Sequence, residues 1–190
     1  MADESPTPPP VDLAALAAVE VLDCEDDPIA VGDLWLNQKV VLVFLPFLNT
    51  PAAGKRAAQV KAQLQSLRSL GAEVYLIGPD DSANAEKLEE ALQPGCELFF
   101  DPKRRAFRSA GLRQEDPSSK KSSRILKSIK NLLGVNSADL QRGVEYGGVL
   151  VLQPQGHLAF AWAATDLEAP LPMQAAEDAL KNAGWSHLYR

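Results

Sequence analysis

The sequence contains little cysteine and little histidine, with two residues of each among 190. Cys24 and Cys96 lie far apart and lack the dense spacing of a disulfide-stapled secreted domain, so we expect both to be reduced thiols. His157 and His187 have no H-x-x-x-H or C-x-x-C company, which zinc sites require. The sequence therefore predicts no metal site, and the lack of a Walker or dinucleotide glycine pattern predicts no bound cofactor.

Long apolar runs are also missing. The longest, Val40 to Leu48, is far too short to cross a bilayer, so no membrane span is expected. Residues 1–10 lack the basic and apolar character of a targeting peptide and end in three consecutive prolines, which predicts a disordered Pro-rich lead-in. We expect a cytoplasmic protein with a single domain over residues 11–190, because this length suits one hydrophobic core.

The charge is unevenly distributed. The net charge is −6, yet residues 103–130 hold ten of the nineteen basic residues and only two acidic ones. A run of this kind most often forms a solvated surface. The tryptophans Trp35, Trp162 and Trp185 do not interleave with it as stacking residues do in nucleic-acid binders, so packing is their expected role. The sequence therefore does not favour nucleic acid as a partner.

The strongest local signal is a strand followed by a helix and a second strand. Val40 to Leu45 is an uninterrupted β-branched and apolar run, typical of a central strand covered on both faces. Thr50 is a good N-cap and Pro51 suits the first helical position, so a long helix is expected up to Leu70. Glu73 to Gly78 reads as a second buried strand, which predicts a right-handed parallel crossover.

The remaining pattern completes an α/β protein. The first expected elements are a short amphipathic turn or helix over Val11 to Ala18, a strand over Val19 to Asp23 and a loop over Asp33 to Leu36. The middle of the chain is expected to form a helix over Asp81 to Leu92, a strand over Cys96 to Phe100, a basic helical turn from Asp101 to Ala110, a loop over Gln114 to Lys121 and a basic amphipathic helix from Ser122 or Ser123 to Leu133. The last elements are a hairpin of Gly148 to Leu152 with His157 to Trp162 and a helix over Met173 to Ala183. This order predicts a thioredoxin-like fold, in which a mixed central sheet is flanked by helices, with a basic helical insertion.

Several short motifs, taken in order, resemble a known family. They are Gly32-Asp33-Leu34-Trp35, the strand Val40 to Phe44, Lys55-Arg56-Ala57, Phe100-Asp101-Pro102 with Phe107 and Gly111-Leu112, and Gly147-Gly148-Val149-Leu150-Val151. From about residue 20 to about residue 180 the chain resembles the peroxiredoxin-like proteins of the alkyl hydroperoxide reductase and thiol-specific antioxidant (AhpC/TSA) superfamily, a group that includes selenoprotein U relatives. The basic helix before Gly147 resembles the insertion that these relatives carry.

The resemblance assigns an active site that this chain lacks. In the family, a Cys-x-x-Cys or Cys-x-x-selenocysteine loop precedes Lys-Arg-Ala, which places Thr50 and Ala53 at the two reactive positions. Against the Thr-Pro-x-Cys loop of ordinary peroxiredoxins, Thr50 and Pro51 match and Ala53 again replaces the peroxide-attacking cysteine. A thiol there would gain from the positive end of the helix dipole, but alanine offers no nucleophile. No arginine adjoins Gly147 in the sequence to polarise a peroxide.

Two functions from different classes follow from these residues. The first is a degenerate member that binds a small molecule or a protein at the former active-site mouth and performs no thiol peroxidase turnover. The alternative is a thiol-dependent oxidoreductase that uses Cys96 to reduce a peroxide or a lipid endoperoxide. Cys24, inside an acidic stretch, is a poor nucleophile candidate, and Cys96 is most simply a small buried residue. Replacement of a native cysteine by design at position 53 is a third explanation for the missing thiol.

Overall fold

The computed structural model of the chain describes residues 9–48, 50–82, 95–112, 114–115 and 143–182. The helices within these ranges are α1 Leu13–Ala17, α2 Val31–Leu34, α3 Pro51–Ser69, α4 Arg105–Ser109 and α5 Met173–Asn182. The strands are β1 Glu20–Leu22, β2 Pro28–Ala30, β3 Lys39–Phe44, β4 Ala72–Gly78, β5 Glu97–Phe100, β6 Gln114–Glu115, β7 Val144–Glu145, β8 Gly148–Gln153 and β9 His157–Ala163. A 3₁₀ turn, Pro154–Gly156, joins β8 to β9.

Seven of these strands form one mixed sheet in the order β2-β1-β5-β4-β3-β8-β9, and β6 and β7 form a separate two-stranded ribbon. The strands β3, β4 and β5 run parallel, with Val41 opposite Val74 and Leu76 opposite Leu98. β8 runs antiparallel to β3 and forms the expected hairpin with β9. The central position of β3 confirms the interpretation of its apolar run, because a strand covered on both faces has no polar side to present.

Helices cover both faces of the sheet. On one face Val41, Val43 and Leu45 of β3 pack against α3 and α5. On the other face Val40, Leu42 and Phe44 pack against α1, α2 and α4. Each of these fully buried side chains contributes roughly 1.5–3 kcal/mol of transfer free energy. The two cores give the helix, sheet and helix layers of the thioredoxin-like fold, as the sequence predicts.

The start of α3 also agrees with the sequence. Thr50 has extended backbone angles, and its hydroxyl accepts the N–H of Ala53 at 3.2 Å. Pro51 occupies the first helical turn, where its missing N–H costs no hydrogen bond. The helix ends before Gly71, whose φ of +78° suits glycine. α3 therefore begins directly after the loop that leaves the central strand.

Four short elements, β2, α2, β6 and β7, differ from the sequence interpretation. β2 was not foreseen, because it is an edge strand that begins at a proline. The expected loop over Asp33 to Leu36 is partly the helix α2, and the start of the expected loop over Gln114 to Lys121 is the strand β6, which exists only through its pairing with β7. The helices expected over Asp81 to Leu92 and over Ser122 or Ser123 to Leu133 lie outside the described residues, apart from Asp81 and Ser82.

The structure describes only part of the two ends of the chain. The part of the lead-in that the structure describes, Pro9 and Pro10, runs beside Gly111, where an added Cβ would approach the Pro10 carbonyl oxygen to 2.6 Å. Trp185 and His187 lie outside the described residues. No helix in the described ranges has the length and the apolar character needed to span a bilayer.

Candidate functional site

The carboxyl ends of β3, β4 and β5 meet at one edge of the sheet, because these strands are parallel. The loop after β3 carries Thr50, the residues after β4 include Asp80, and Asp101 follows β5 directly. α3 also begins at this edge and presents the positive end of its dipole there. In open sheets with parallel strands, ligand sites form in this position, so the residues of this edge are the candidate site.

Thr50, Pro51 and Ala53 lie together at the first turn of α3, as the sequence predicts. The Ala53 side chain is fully buried, and it packs in the core that contains Leu45 and Leu48. Thr50 is 7% exposed, and its hydroxyl donates to the Phe47 carbonyl at 2.6 Å while it accepts the Ala53 N–H at 3.2 Å. Position 53 therefore offers solvent no reactive atom, and the hydroxyl of Thr50 is engaged by the backbone.

The loop between β3 and α3 is held from β4 as well. The carboxylate of Asp80 accepts the backbone N–H of Leu48 at 2.6 Å, and both residues are buried. Hydrogen bonds that an ionised carboxylate accepts from backbone N–H groups are stronger than hydrogen bonds between two neutral groups. Asp80 therefore fixes the loop two residues before Thr50.

A buried arginine beside this loop was missed by the sequence interpretation, which placed no arginine near Gly147. Arg56 of α3 is 2% exposed, and its guanidinium donates to the Tyr146 carbonyl. A Cβ atom added to Gly147 would lie 2.9 Å from Nη1 of Arg56. The fold therefore places an arginine beside Gly147, although none is adjacent to it in the sequence. The only sequence signal was the Lys55-Arg56-Ala57 motif, which marks the family without showing where the guanidinium points.

Arg56 also holds the loop that follows β9. Its Nη2 donates to the carbonyls of Asp166 at 3.1 Å and Ala169 at 3.3 Å. Burial lowers the pKa of Arg56, and the negative charges of Asp166 and Glu168 act in the opposite direction. The guanidinium thus joins α3, the residue before Gly147 and residues 166–169 into one unit.

A second buried arginine lies on the other side of the candidate site. Arg104 is 4% exposed, and its Nη1 donates to the Gly143 carbonyl at 2.9 Å and lies 3.9 Å from Oε1 of Glu145. Its guanidinium stands over the Phe47 ring, 5.2 Å from the ring centre. Arg104 adopts this position with φ of +53°, which costs a non-glycine residue on the order of 1 kcal/mol. Its contacts must outweigh that strain.

Two buried carboxyl groups accompany Arg104. Burial raises the pKa of Glu145 to about 7, although the positive charges of Arg104 and Arg108 oppose the shift. Burial also raises the pKa of Asp101, against the hydrogen bonds that its carboxylate accepts from the N–H groups of Arg105 at 3.0 Å and Ala106 at 2.7 Å. Asp101 thereby caps α4. In the sequence Asp101 stood out only as part of the Phe100-Asp101-Pro102 motif, and Glu145 did not stand out at all, because the burial of both depends on contacts with distant parts of the chain.

A cleft of about 370 Å³ opens beside the candidate site. It is formed by one face of α3 and the loop after β9, and it is lined by Ala52, Lys55, Arg56, Ala58, Gln59 and residues 167–170. At its rim Lys55 and Glu168 form an exposed ion pair at 2.9 Å. Ala52 brings the cleft to within one residue of Ala53, so the cleft is the open space next to Ala53.

Cys96 lies at the opposite edge of the sheet. It precedes β5, whose first residue Glu97 pairs with Tyr75, so about 13 Å of strand separates it from the carboxyl edge. It is half-buried in a groove of about 550 Å³ that Arg68 and Glu73 also line. Burial raises the pKa of the Cys96 thiol, against the positive charge of Arg68. The structure therefore does not bring Cys96 together with Thr50 and Ala53.

The other residues considered from the sequence lie away from this edge. Cys24 is exposed in the turn between β1 and β2, where the carboxylate of Asp23 accepts the N–H groups of Glu25 and Asp27. His157 is the exposed first residue of β9. Trp35 is buried against α1 and α2, which agrees with the expected packing role.

Comparisons with known proteins agree with this architecture. The family model described as AhpC/TSA family matches residues 14–161. A thioredoxin-like protein AAED1, chloroplastic, from Arabidopsis thaliana is 28% identical over 93 residues, which span 49% of this chain and 38% of that protein.

Solved structures of peroxiredoxins share the fold. The bacterioferritin comigratory protein of Xanthomonas campestris, which has alkyl peroxide reduction activity, matches with a TM-score of 0.65 and 15% identity over 92% of this chain and 98% of its own. A peroxiredoxin 6 of Arenicola marina matches with a TM-score of 0.69 and 13% identity over 92% of this chain and 73% of its own. With a family model that covers most of its length and this fold, the chain belongs to the AhpC/TSA family.

Proposed function

We propose that this AhpC/TSA-family chain is a binding protein that does not reduce peroxides, and that it binds a small molecule or a protein segment in the cleft beside α3. One observation carries the proposal: an alanine methyl group, fully buried in the core, occupies the position where the family resemblance expects the attacking sulfur. A thiolate is the nucleophile in such chemistry, and no side chain at this turn supplies a substitute.

The surroundings of Ala53 support the same view. The hydroxyl of Thr50 already donates its hydrogen to the Phe47 carbonyl and accepts the Ala53 N–H, so it has no hydrogen left to donate to a peroxide oxygen. No carboxylate or imidazole among the described residues contacts that hydroxyl to activate it. The first turn of α3 thus retains the geometry of a thiol site and lacks its chemistry.

The cleft beside α3 is where we place the ligand. Its volume of about 370 Å³ falls at the small end of the range for ligand pockets, and Ala52, Leu167 and Pro170 give it an apolar lining. The Lys55–Glu168 pair at its rim is exposed, and exposed pairs contribute only about 0–1 kcal/mol, so a ligand could displace it at little cost. A compact apolar group with a polar end fits this surface.

A peroxidase assay tests the chemical half of the proposal. Purified protein is supplied with dithiothreitol or a thioredoxin system and with hydrogen peroxide or cumene hydroperoxide, next to Cys24→Ser and Cys96→Ser variants. We expect peroxide loss at the rate of the reductant alone for all three proteins. Turnover well above that rate would show the proposal to be wrong.

A fragment screen by protein NMR tests the binding half. We expect hits to shift the amide signals of Ala52, Gln59 and Ala169 and to lose this effect in Ala169→Trp, which fills the cleft. Leu36→Trp, at an exposed site away from the cleft, is the matched control and should leave the hits unchanged. Hits that shift only residues around Cys96, or no hits at all, would contradict the assigned cleft.

The second candidate function is a thiol-dependent oxidoreductase that uses Cys96. The observation in its favour is the groove of about 550 Å³ at Cys96, where Arg68 offers a positive charge. Against it, burial outweighs that charge and raises the pKa of the thiol. Peroxide turnover that the Cys96→Ser variant loses would establish this candidate in place of the first.

We also propose a cytoplasmic location. Both cysteines are free in the structure, which suits a compartment that keeps thiols reduced. The named Arabidopsis relative is chloroplastic, so an organelle is the competing location. Fractionation of cells that express the tagged full-length protein distinguishes the two, and recovery in an organelle fraction would contradict the proposal.

A further inference from the structure

The run Gly143–Gly147, here called the return segment, is held at the candidate site by two buried arginines. Arg104, just before α4, donates to the Gly143 carbonyl, and Arg56 of α3 donates to the Tyr146 carbonyl. Neither arginine is near the return segment in sequence, since Arg56 and Tyr146 are 90 residues apart. The segment is therefore fixed from both faces by long-range contacts.

Arg104 connects the return segment to the loop between β3 and α3. Its guanidinium stands over the ring of Phe47, which is 1% exposed and three residues before Thr50. A cation over an aromatic face gains about 2 kcal/mol or more when both are desolvated. Movement of the return segment away from Arg104 would therefore loosen the loop that carries Thr50.

Glu145 lies inside this arrangement, and the described residues compensate its carboxyl group only in part. Its side chain is 3% exposed, and Nη1 of Arg104 stands 3.9 Å from Oε1, which is too long for a hydrogen bond. None of the described residues forms a hydrogen bond with this carboxyl group. An ionised carboxylate loses its hydration on burial, and a loose ion pair does not restore it.

Of the described residues, three charged groups act on Glu145. The positive charges come from Arg104 and Arg108, and the negative charge comes from Asp101. The residue opposite Glu145 on β6 is the uncharged Gln114. Burial prevails over the two arginines, so the pKa of Glu145 rises to about 7.

The sign of the pH effect follows from this shift. In an opened segment Glu145 meets water and titrates near its ordinary value of 4.5, whereas in the packed segment it keeps its proton up to about pH 7. The packed form therefore binds more protons between these values. Its stability is fully present below about pH 4.5, and it is progressively lost as the pH rises through about 7.

We propose that Glu145 is a pH-sensitive latch on the loop that carries Thr50. While its carboxyl group is protonated, the return segment stays packed against Arg104. When that group ionises, the segment opens more often and frees Arg104 from Phe47. This inference rests on the return segment alone and is independent of what the cleft binds.

Hydrogen exchange measured by mass spectrometry tests the latch. In the wild-type protein, after correction for intrinsic exchange rates, the opening constant of peptides that cover Gly143–Gly147 should rise roughly 50-fold between pH 5 and pH 8. Peptides that cover Phe47–Thr50 should change in parallel, while peptides from α5 should not. The Glu145→Gln variant, which cannot ionise, should show no such rise in either region.

Glu20→Gln is the matched control, because Glu20 is an exposed acid at the start of β1, away from the return segment. It should keep the wild-type pH dependence. A flat profile for the wild type, an equal rise in Glu145→Gln, or a response confined to the return segment would each overturn the proposal.

A second measurement needs no variant and covers the case in which Glu145→Gln fails to fold. The side-chain carboxyl carbon of Glu145 can be followed by NMR in the wild-type protein as the pH is changed. A titration midpoint near 7 supports the latch. A midpoint near 4.5 shows that ionisation costs nothing in the packed segment and refutes it.

Discussion

The two edges of the parallel strands differ in electrostatics and in burial. At the carboxyl edge Ala53 lies at the positive end of the α3 dipole, but its side chain is buried and carries no sulfur. At the amino edge Cys96 does carry a sulfur, but it lies beside the carboxyl end of α3, where Arg68 donates to the carbonyl of Gly95. The dipole of α3 favours a negative charge, such as a thiolate, at the carboxyl edge and disfavours it at the amino edge.

This contrast supports the proposal that Cys96 does not take the role of a thiol at position 53. A reactive thiolate needs a sulfur atom, a positive electrostatic environment and access to solvent together. The carboxyl edge retains the positive environment, and the amino edge retains the sulfur atom with partial access. The positive environment and the sulfur atom, which a reactive thiolate needs together, therefore lie at opposite edges of the sheet.

The largest expected effect is on the free energy of unfolding, when a buried arginine and an exposed arginine are each replaced by alanine. Arg56→Ala should lower the free energy of unfolding by about 3 kcal/mol, because the carbonyls of Tyr146, Asp166 and Ala169 lose their donor inside the protein. Arg68→Ala, at the exposed Glu73 pair of the amino edge, should cost less than about 1 kcal/mol. Urea denaturation measures both, and equal losses would remove the distinction between the two edges.

The next effect tests whether the core around the Ala53 side chain has room for a larger side chain. Ala53→Leu should destabilise the protein by about 2 kcal/mol, because three extra carbons must enter a packed core. Ala58→Leu, on the exposed face of the same helix, should change stability by less than about 0.5 kcal/mol. A well-tolerated Ala53→Leu would mean that this turn has room for a ligand.

A smaller effect is expected at the helix cap. Thr50→Ala should cost about 1 kcal/mol, since the Ala53 N–H loses its side-chain acceptor, whereas Thr50→Ser should retain most of the stability. Thermal unfolding of the two variants provides the measurement. If serine fails to restore what alanine loses, Thr50 acts through its methyl group and not through the cap.

The smallest effect is a difference in thiol reactivity. Cys96 should react with iodoacetamide several-fold more slowly than free cysteine at neutral pH, because burial raises its pKa and restricts access. The exposed Cys24 serves as the internal comparison, and mass spectrometry of the two peptides gives both rates. A Cys96 that reacts faster than free cysteine would revive the oxidoreductase candidate.

Much of the candidate site could be read from adjacent residues. Thr50 and Pro51 indicate the start of α3. Because the apolar run of β3 ends shortly before them, the sequence also indicates that this start lies at an edge of the sheet. Arg104 and Glu145 could not be found in this way. They are 41 positions apart, and in sequence a basic turn and an acidic residue indicate solvent-facing side chains; here both are buried.

The sequence by itself determined the central strand, the capped helix that follows it, and the alanine at position 53, because these depend on residue identity and on neighbours within one or two turns. Only the tertiary structure decided that Cys96 lies at the far edge and that Arg56, Arg104 and Glu145 are buried. The physical reason is that burial and charge pairing arise when distant segments pack together. The desolvation that shifts the pKa of Glu145 therefore exists only in the folded chain.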